Sequence, residues 1–254
     1  SKYSLPGLWF NPQEILALLT IYQMLSNLGN GLLTPHIQPL LARLNALMGS
    51  QADSADEIRK RIRILHMAAR CERPGHFEAV ASATIRRRRL KIGYHARSSD
   101  ELTEREVSPQ RLVHYRDNWY LDGWCHLREG LRSFSLDAIR EVEVLDRLAR
   151  PVSEQTLDEV LASGYGIFSG RADKTARLRF NPRQARWVAS ERWHPEQVSQ
   201  FAEDGSYLLE IPYSHDGELV MDILRYGADV EVLGPAELRR KVKRRLEAAA
   251  APYR

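Results

Sequence analysis

The stretch Asn118-Trp-Tyr-Leu-Asp-Gly-Trp-Cys-His-Leu-Arg128 holds two of the chain's five tryptophans, with a tyrosine, a histidine and an arginine among them. Read as a strand, it puts Trp119 and Leu121 on one face and Tyr120, Asp122, Trp124 and His126 on the other. Trp119 and Leu121 are expected in the core, which leaves the second set to line a groove. Cys125 and His126 are neighbours and so point apart, which argues against a nucleophile-base pair between them.

The period of two extends outward from this stretch. Leu90, Ile92 and Tyr94 alternate with Lys91, Gly93 and His95, and similar runs occupy 105–109, 110–115, 132–136 and 140–145. Turn signals separate them at Ser98-Ser-Asp100, Arg116-Asp-Asn118 and Arg128-Glu-Gly130. Preceded by a short helix from His76 to about Arg88, the runs predict a small five-stranded barrel over 76–150.

Before this unit, residues 1–75 read as a helical bundle. Asn11-Pro-Gln-Glu14 supplies a capping residue and a proline at the first helical position. A second helix is expected from Pro35 to Leu47, and Ser54-Ala-Asp-Glu57 opens a third through about Arg70, with His66 on its edge. After a linker over 151–175, which holds Ser163-Gly-Tyr-Gly-Ile-Phe-Ser-Gly170, the rhythm changes. A strand at 176–180, a helix at 182–193, a hairpin of 197–202 with 207–213, a helix at 218–226 and a strand at 229–233 give the split βαβ order of ferredoxin-like domains over 176–254. A terminal helix starts at Gly234-Pro235. The fold class is therefore α+β.

With 43% hydrophobic and 28% charged residues, the 254-residue chain is globular and not disordered. Apolar runs such as Ile15-Leu-Ala-Leu-Leu19 are far short of the roughly 20 residues of a membrane span. No membrane partner is expected. Cys71 and Cys125 are too few for a disulfide framework and too far apart for a local metal motif, so a reducing cytoplasm is the expected home. The chain lacks G-x-S-x-G, Walker, H-E-x-x-H and G-x-G-x-x-G patterns, so neither an enzyme nor a cofactor or metal site is expected.

Charge is more informative. Residues 86–132 carry eleven Lys/Arg against seven Asp/Glu, an excess equal to the net +4 of the whole chain. Part of Arg86-Arg-Arg-Arg89 serves a helix C-terminus. Arginines interleaved with tyrosine, tryptophan and histidine on a small barrel also suit single-stranded polynucleotide, with guanidinium groups for phosphates and rings for bases. The terminal helix carries six cations in seven residues, Arg239-Arg-Lys-Val-Lys-Arg-Arg245, which reads as a solvated face.

Asn118-Trp-Tyr-Leu-Asp-Gly-Trp-Cys125 resembles the signature of the WYL-domain family of bacterial transcriptional regulators. Tyr94-His95, Arg105-Glu-Val-Ser-Pro109, Arg111-Leu112 and Arg132-Ser-Phe-Ser-Leu-Asp-Ala-Ile139, which is similar to the family's R-x-F-R-L-D-R-I strand, extend the likeness. Tyr3-Ser-Leu-Pro-Gly-Leu-Trp9 and the third segment resemble the family's linker and C-terminal extension. The resemblance implies an Sm-like, SH3-type barrel, a ferredoxin-like homodimerisation domain, and sensing of an effector by the barrel. For some members that effector is single-stranded DNA arising from damage. The family's winged helix-turn-helix, which reads operator duplex DNA, has no counterpart here, and Ser1 resembles a cut just behind it. Ser135 and Ala138 stand where the family has its second and third arginines.

These readings give an effector-sensing and dimerisation region that takes single-stranded DNA or another phosphorylated ligand. His95, Arg97, Arg105, His126 and Arg132 are expected at phosphates, with Arg128 or Arg140 a substitute for the missing arginines. Tyr94, Tyr115, Tyr120 and Trp124 are the expected lining or stacking residues. A small-molecule or nucleotide sensor on the same fold and a purely structural dimerisation module are the alternatives.

Overall fold

The computed structural model describes residues 75–253 apart from 98, 117, 162–163, 168–169 and 171. The three helices expected before residue 74 lie outside the described residues. Two antiparallel sheets with helices packed on them make the architecture α+β.

The first sheet follows helix α1, Phe77–Ile85, and consists of β1, Arg88–Ala96; β2, Glu101–Tyr115; β3, Asn118–Cys125; β4, Gly130–Ser135; and β5, Ile139–Leu148. Its order is β4-β3-β2-β1-β5. β4 and β5 stand at its edges, and no ladder among the described residues joins them into a closed barrel. Val80 and Ala83 of α1 cap a core of Leu90, Ile92, Val107, Leu121, Cys125, Phe134, Leu136 and Ile139.

The helix ends three residues before Arg88 because Arg87 turns left-handed, at φ 54°, and redirects the chain into β1. The runs at 105–109 and 110–115 are a single strand. Pro109 has no N–H for the ladder, and the register slips there: Pro109 lies opposite Gly123 but Arg111 opposite Asp122, so Gln110 is extra. Gln110 turns aside to accept from the Arg87 guanidinium at 3.3 Å and to donate to the Arg150 carbonyl at 2.8 Å. At the three expected turns, Asp100, Arg116 and Glu129 hold positive φ.

β3 is buried on both faces, contrary to the expected division. Leu121 and Cys125 lie in the core, and Trp119 packs at its margin against Phe77 and His114 at ring distances of 5.1 and 5.0 Å. Tyr120 and Asp122 on the other face are also buried. Asp122 accepts from Arg111 at 2.9 Å and from the Ser133 hydroxyl. A paired carboxylate inside the sheet satisfies itself and leaves no groove. Gly123 is required by close approach: a Cβ there would sit 2.5 Å from the Val107 side chain.

Helix α2, Glu154–Leu161, leads to the second sheet: β6, Lys174–Phe180; β7, Val198–Phe201; β8, Tyr207–Tyr213; and β9, Val230–Gly234, in the order β7-β8-β6-β9. Helix α3, Pro182–Val188, follows β6, and α4, Gly217–Arg225, follows β8; α5, Ala236–Ala250, closes the chain. Ala176, Leu178 and Phe180 alternate into the core with Leu209 and Ile211. Asn181 caps α3 by accepting from the Gln184 N–H at 2.8 Å. The helix stops at Val188 instead of Trp193 because the next turn is taken over by side chains. Gln197 accepts from the Trp193 N–H at 2.6 Å, and Trp193 stacks on Tyr226 with centroids 5.6 Å apart.

Candidate functional site

The cleft begins where β1 and β2 leave the shelter of α1. The face that is core at Leu90 and Ile92 reaches the surface at Tyr94 and Ala96, and the register places Thr103 opposite Tyr94 and Glu101 opposite Ala96. β4 supplies Leu131, Arg132, Ser133 and Phe134, with Arg128 from the turn before it. Across the opening stand Val160 and Leu161 of α2, Ile167 and Gly170 of the linker, and His215 after β8. Together these residues enclose about 650 Å³, a size suited to a ligand between two domains.

Three arginines reach this space, and none of them has a carboxylate within ion-pair distance among the described residues. Arg105 is aimed by a relay: its Nε donates to Thr103 Oγ1 at 3.1 Å, and that hydroxyl donates to the Tyr94 carbonyl at 3.2 Å. Arg128 and Arg132 are solvent-exposed. Tyr94 meets Phe134 edge to face at 5.3 Å, making an aromatic floor. Burial pushes the Tyr94 phenol up, so it stays a neutral hydrogen-bonding group at neutral pH. Glu101 also lines the cleft, so its charge is mixed at one end.

Most other cations of the window are occupied. Arg88 pairs with Asp146 at 2.8 Å, Arg89 with Glu106 at 2.9 Å, and Lys91 with Glu104 at 2.9 Å. Of the ten residues expected at the site, Tyr94, Arg105, Arg128 and Arg132 come together. The other six are placed elsewhere.

His95 is bonded to Asp100 at 2.8 Å on the outer side of the hairpin. Arg97 pairs with the buried Asp137 at 2.9 Å. Asp137 also accepts from the Ser135 hydroxyl, so Ser135, where the family has arginine, belongs to a closed polar knot with Asn118. Ala138 beside it is buried. Tyr120 is buried and meets Tyr115 at 6.5 Å.

Trp124 and His126 belong to a second cluster. The Arg150 guanidinium lies 3.8 Å from the Trp124 ring centroid, a cation–π contact. His126 Nε2 is 2.9 Å from Ser108 Oγ, which accepts from the Arg150 N–H at 2.9 Å. The hydroxyl thus bridges the Arg150 backbone and the imidazole. Burial, with the nearby Arg89 charge, holds the His126 pKa below its ordinary value. Although this resembles a nucleophile-base pair, Ser108 is wholly buried and neither residue lines the cleft. Its contacts join β2, β3 and the end of β5.

Tyr115 and Arg116, at the tip of the β2–β3 turn, reach the second domain. Tyr115 donates to Glu218 at 2.8 Å, and Arg116 donates to Asp222 at 2.5 Å. From the linker, Tyr165 donates to the same Asp222 oxygen at 2.6 Å and the Ile167 N–H to Glu218 at 3.0 Å. Gly166, at φ 86°, lies so close that a Cβ would be 2.7 Å from the Glu218 carboxyl. Burial and the Glu218 bond push the Tyr115 phenol far above its usual range. Ile167 belongs both to this latch and to the cleft wall. Sequence reading missed Val160, Leu161, Ile167, His215, Glu218 and Asp222, because only the fold brings them beside the first sheet.

Residues 75–144 match the WYL domain and residues 172–250 the WCX domain. The chain belongs to the WYL-domain transcriptional regulators. It is similar to Protein PafC of Mycobacterium leprae, 25% identical over 245 residues that make up 94% of this chain and 71% of the relative. Protein PafC of Mycobacterium tuberculosis (strain ATCC 25618 / H37Rv) is 30% identical over 176 residues, covering 69% of this chain and 54% of the relative. The uncharacterized HTH-type transcriptional regulator YobV of Bacillus subtilis is 25% identical over 173 residues, 65% of this chain and 52% of its own length. The chain thus spans little more than half of the last two proteins. Among solved structures, proteasome accessory factor B/C of Arthrobacter aurescens aligns with TM-score 0.36 and 25% identity over 96% of this chain and 36% of that one. No helix among the described residues is long and apolar enough to cross a membrane.

Proposed function

We propose that the cleft between the WYL sheet and the linker senses a phosphorylated effector, single-stranded DNA in the first instance, and sets the posture of a regulator whose operator-reading domain lies outside this chain. The carrying observation is the selective pairing of cations. Among the described residues, Arg105, Arg128 and Arg132 line the cleft without carboxylate partners, whereas most of the window's other cations are neutralised on the surface. Unpaired guanidinium groups beside an aromatic floor of Tyr94 and Phe134 suit phosphates flanked by bases.

The strand order β7-β8-β6-β9 supports reading the C-terminal unit as ferredoxin-like, and its role in this proposal is homodimerisation. Transmission runs through the shared linker. An effector that displaces Ile167 disturbs the N–H that holds Glu218, and through it the seat of Tyr115. A ligand shifts such an equilibrium only by its differential affinity for the two postures.

A second reading, a free nucleotide as effector, is favoured by the cleft's limited volume of about 650 Å³. A titration with single-stranded oligonucleotides over a salt series, beside thermal-shift measurements with mononucleotides, separates the two. Single-stranded DNA is expected to bind with steep salt dependence and to raise Tm. Nucleotides stabilising the chain where oligonucleotides do not would favour the second reading, and no effect from either would overturn both.

A further inference from the structure

A second cavity, of about 440 Å³, opens between helices α4 and α5. Helical period builds its walls. On α4, Gly217, Val220, Met221 and Leu224 stand at i, i+3, i+4 and i+7 and form one stripe. On α5, Lys241 and Arg245 stand one turn apart on the side that packs through Leu238 and Val242. Val220 is buried and Leu224 half-buried, but Met221 is 66% exposed. An apolar stripe that runs out of the core into an open concavity is surface that a ligand can cover.

The charged groups around this stripe are mostly engaged. Lys241 is held by Asp216 at 2.5 Å. Glu218 also lines the cavity, and both of its carboxyl oxygens belong to the latch, one bonded to Tyr115 and the other to the Ile167 N–H. Arg245 has no carboxylate within ion-pair distance among the described residues. The cavity therefore presents one uncompensated guanidinium beside an apolar wall, and the exposed His215 ring adds a hydrogen-bonding edge.

That charge count limits the ligand. A phosphomonoester carries close to two negative charges, and the second would meet the Glu218 carboxylate. A polynucleotide needs a row of cations and several open rings, whereas the only aromatic ring of the wall, Tyr165, is itself buried. A carboxylate matches a guanidinium through two parallel N–H bonds, and it brings a single charge. The aliphatic and thioether side chains beside it suit an apolar body.

We propose that the cavity between α4 and α5 is a binding site for a monocarboxylate with an apolar body, its carboxylate on Arg245 and its body along Met221 and Leu224, separate from the effector cleft. The test is calorimetric titration of the whole chain with naphthylacetate, with its neutral amide, and with acetate. Naphthylacetate is expected to bind, and both the amide, which lacks the charge, and acetate, which lacks the apolar body, to bind at least about tenfold more weakly. Arg245 and Met221 are exposed, so substitutions there leave the core intact. Arg245→Gln is expected to weaken naphthylacetate about tenfold and to leave the amide unchanged, and Met221→Glu to weaken both. The cleft variant R105Q/R128Q/R132Q is expected to bind naphthylacetate as the parent chain does, which separates failure of this site from failure of the effector reading. Equal affinity for acid and amide, no change in Arg245→Gln, or loss of binding in the cleft variant would each overturn the assignment. So would a parent chain that binds none of the probes, and loss of homodimerisation in its Met221→Glu variant would then give the cavity to a second copy.

Discussion

Two groups of cations on the first sheet differ in their company. At the β1 edge, Arg88, Arg89 and Lys91 each meet a carboxylate. In the cleft, Arg105, Arg128 and Arg132 meet none among the described residues. Exposed ion pairs of the first kind contribute about 0–1 kcal/mol and give the sheet a neutral rim. The second kind has no such compensation. Residue type and sequence clustering do not distinguish the groups, since all six fall within residues 86–132. The fold distinguishes them by where it puts Asp146, Glu106 and Glu104.

The largest expected effect comes from exchanging these groups' charges in turn. R105Q/R128Q/R132Q is expected to abolish effector binding while leaving Tm nearly unchanged. R88Q/R89Q/K91Q is expected to keep the binding with a small change in Tm. Equal binding losses would erase the distinction.

Next in size is the latch. Arg116 is a paired cation whose φ of 46° costs energy that its contact with Asp222 offsets. Arg116→Ala leaves the largely buried Asp222 with only Tyr165, so a loss of about 1–3 kcal/mol is expected in denaturant unfolding. Separate melting of the two domains would sharpen the account, and unchanged stability would remove the latch from it.

The smallest effect concerns pH. His126 is held below its ordinary pKa by burial and by Arg89, itself a paired cation. The unfolded chain therefore takes up this proton more readily than the folded one. The resulting stability is present above the unfolded value of about 6.5 and is lost as pH falls below it. In His126→Gln the decline of Tm between about pH 7 and pH 5 is expected to be shallower than in the parent chain. An identical decline would show that His126 carries none of it.

Much of this architecture is written locally. The turns at Asp100, Arg116 and Glu129, the alternation of β6 and β8, and the strand and helix order of the C-terminal unit follow from residue type and period. Local pattern fails where tertiary contacts override it. Pro109 marks a bulge inside β2 and not a break, because Gln110 finds partners in Arg87 and Arg150. Alternation alone puts Tyr120 and Asp122 in a groove, but both faces of β3 are covered. At the site, Tyr94, Arg105, Arg128 and Arg132 were legible from the aromatic and basic pattern. The pairing of His95 with Asp100 and of Arg97 with Asp137 was not, since a carboxylate's reach depends on the folded path between the two residues. Nothing near the opening stretch signals His215 or Ile167 as the opposite wall.

The most direct measurement is photocrosslinking of the whole chain to single-stranded DNA carrying a halogenated pyrimidine, with the adducts mapped by mass spectrometry. Adducts concentrated on Tyr94, and suppressed by R105Q/R128Q/R132Q, are the predicted result. Adducts lying along the β1 and β5 edge, with Tyr94 unmarked, would contradict the cleft as the effector site.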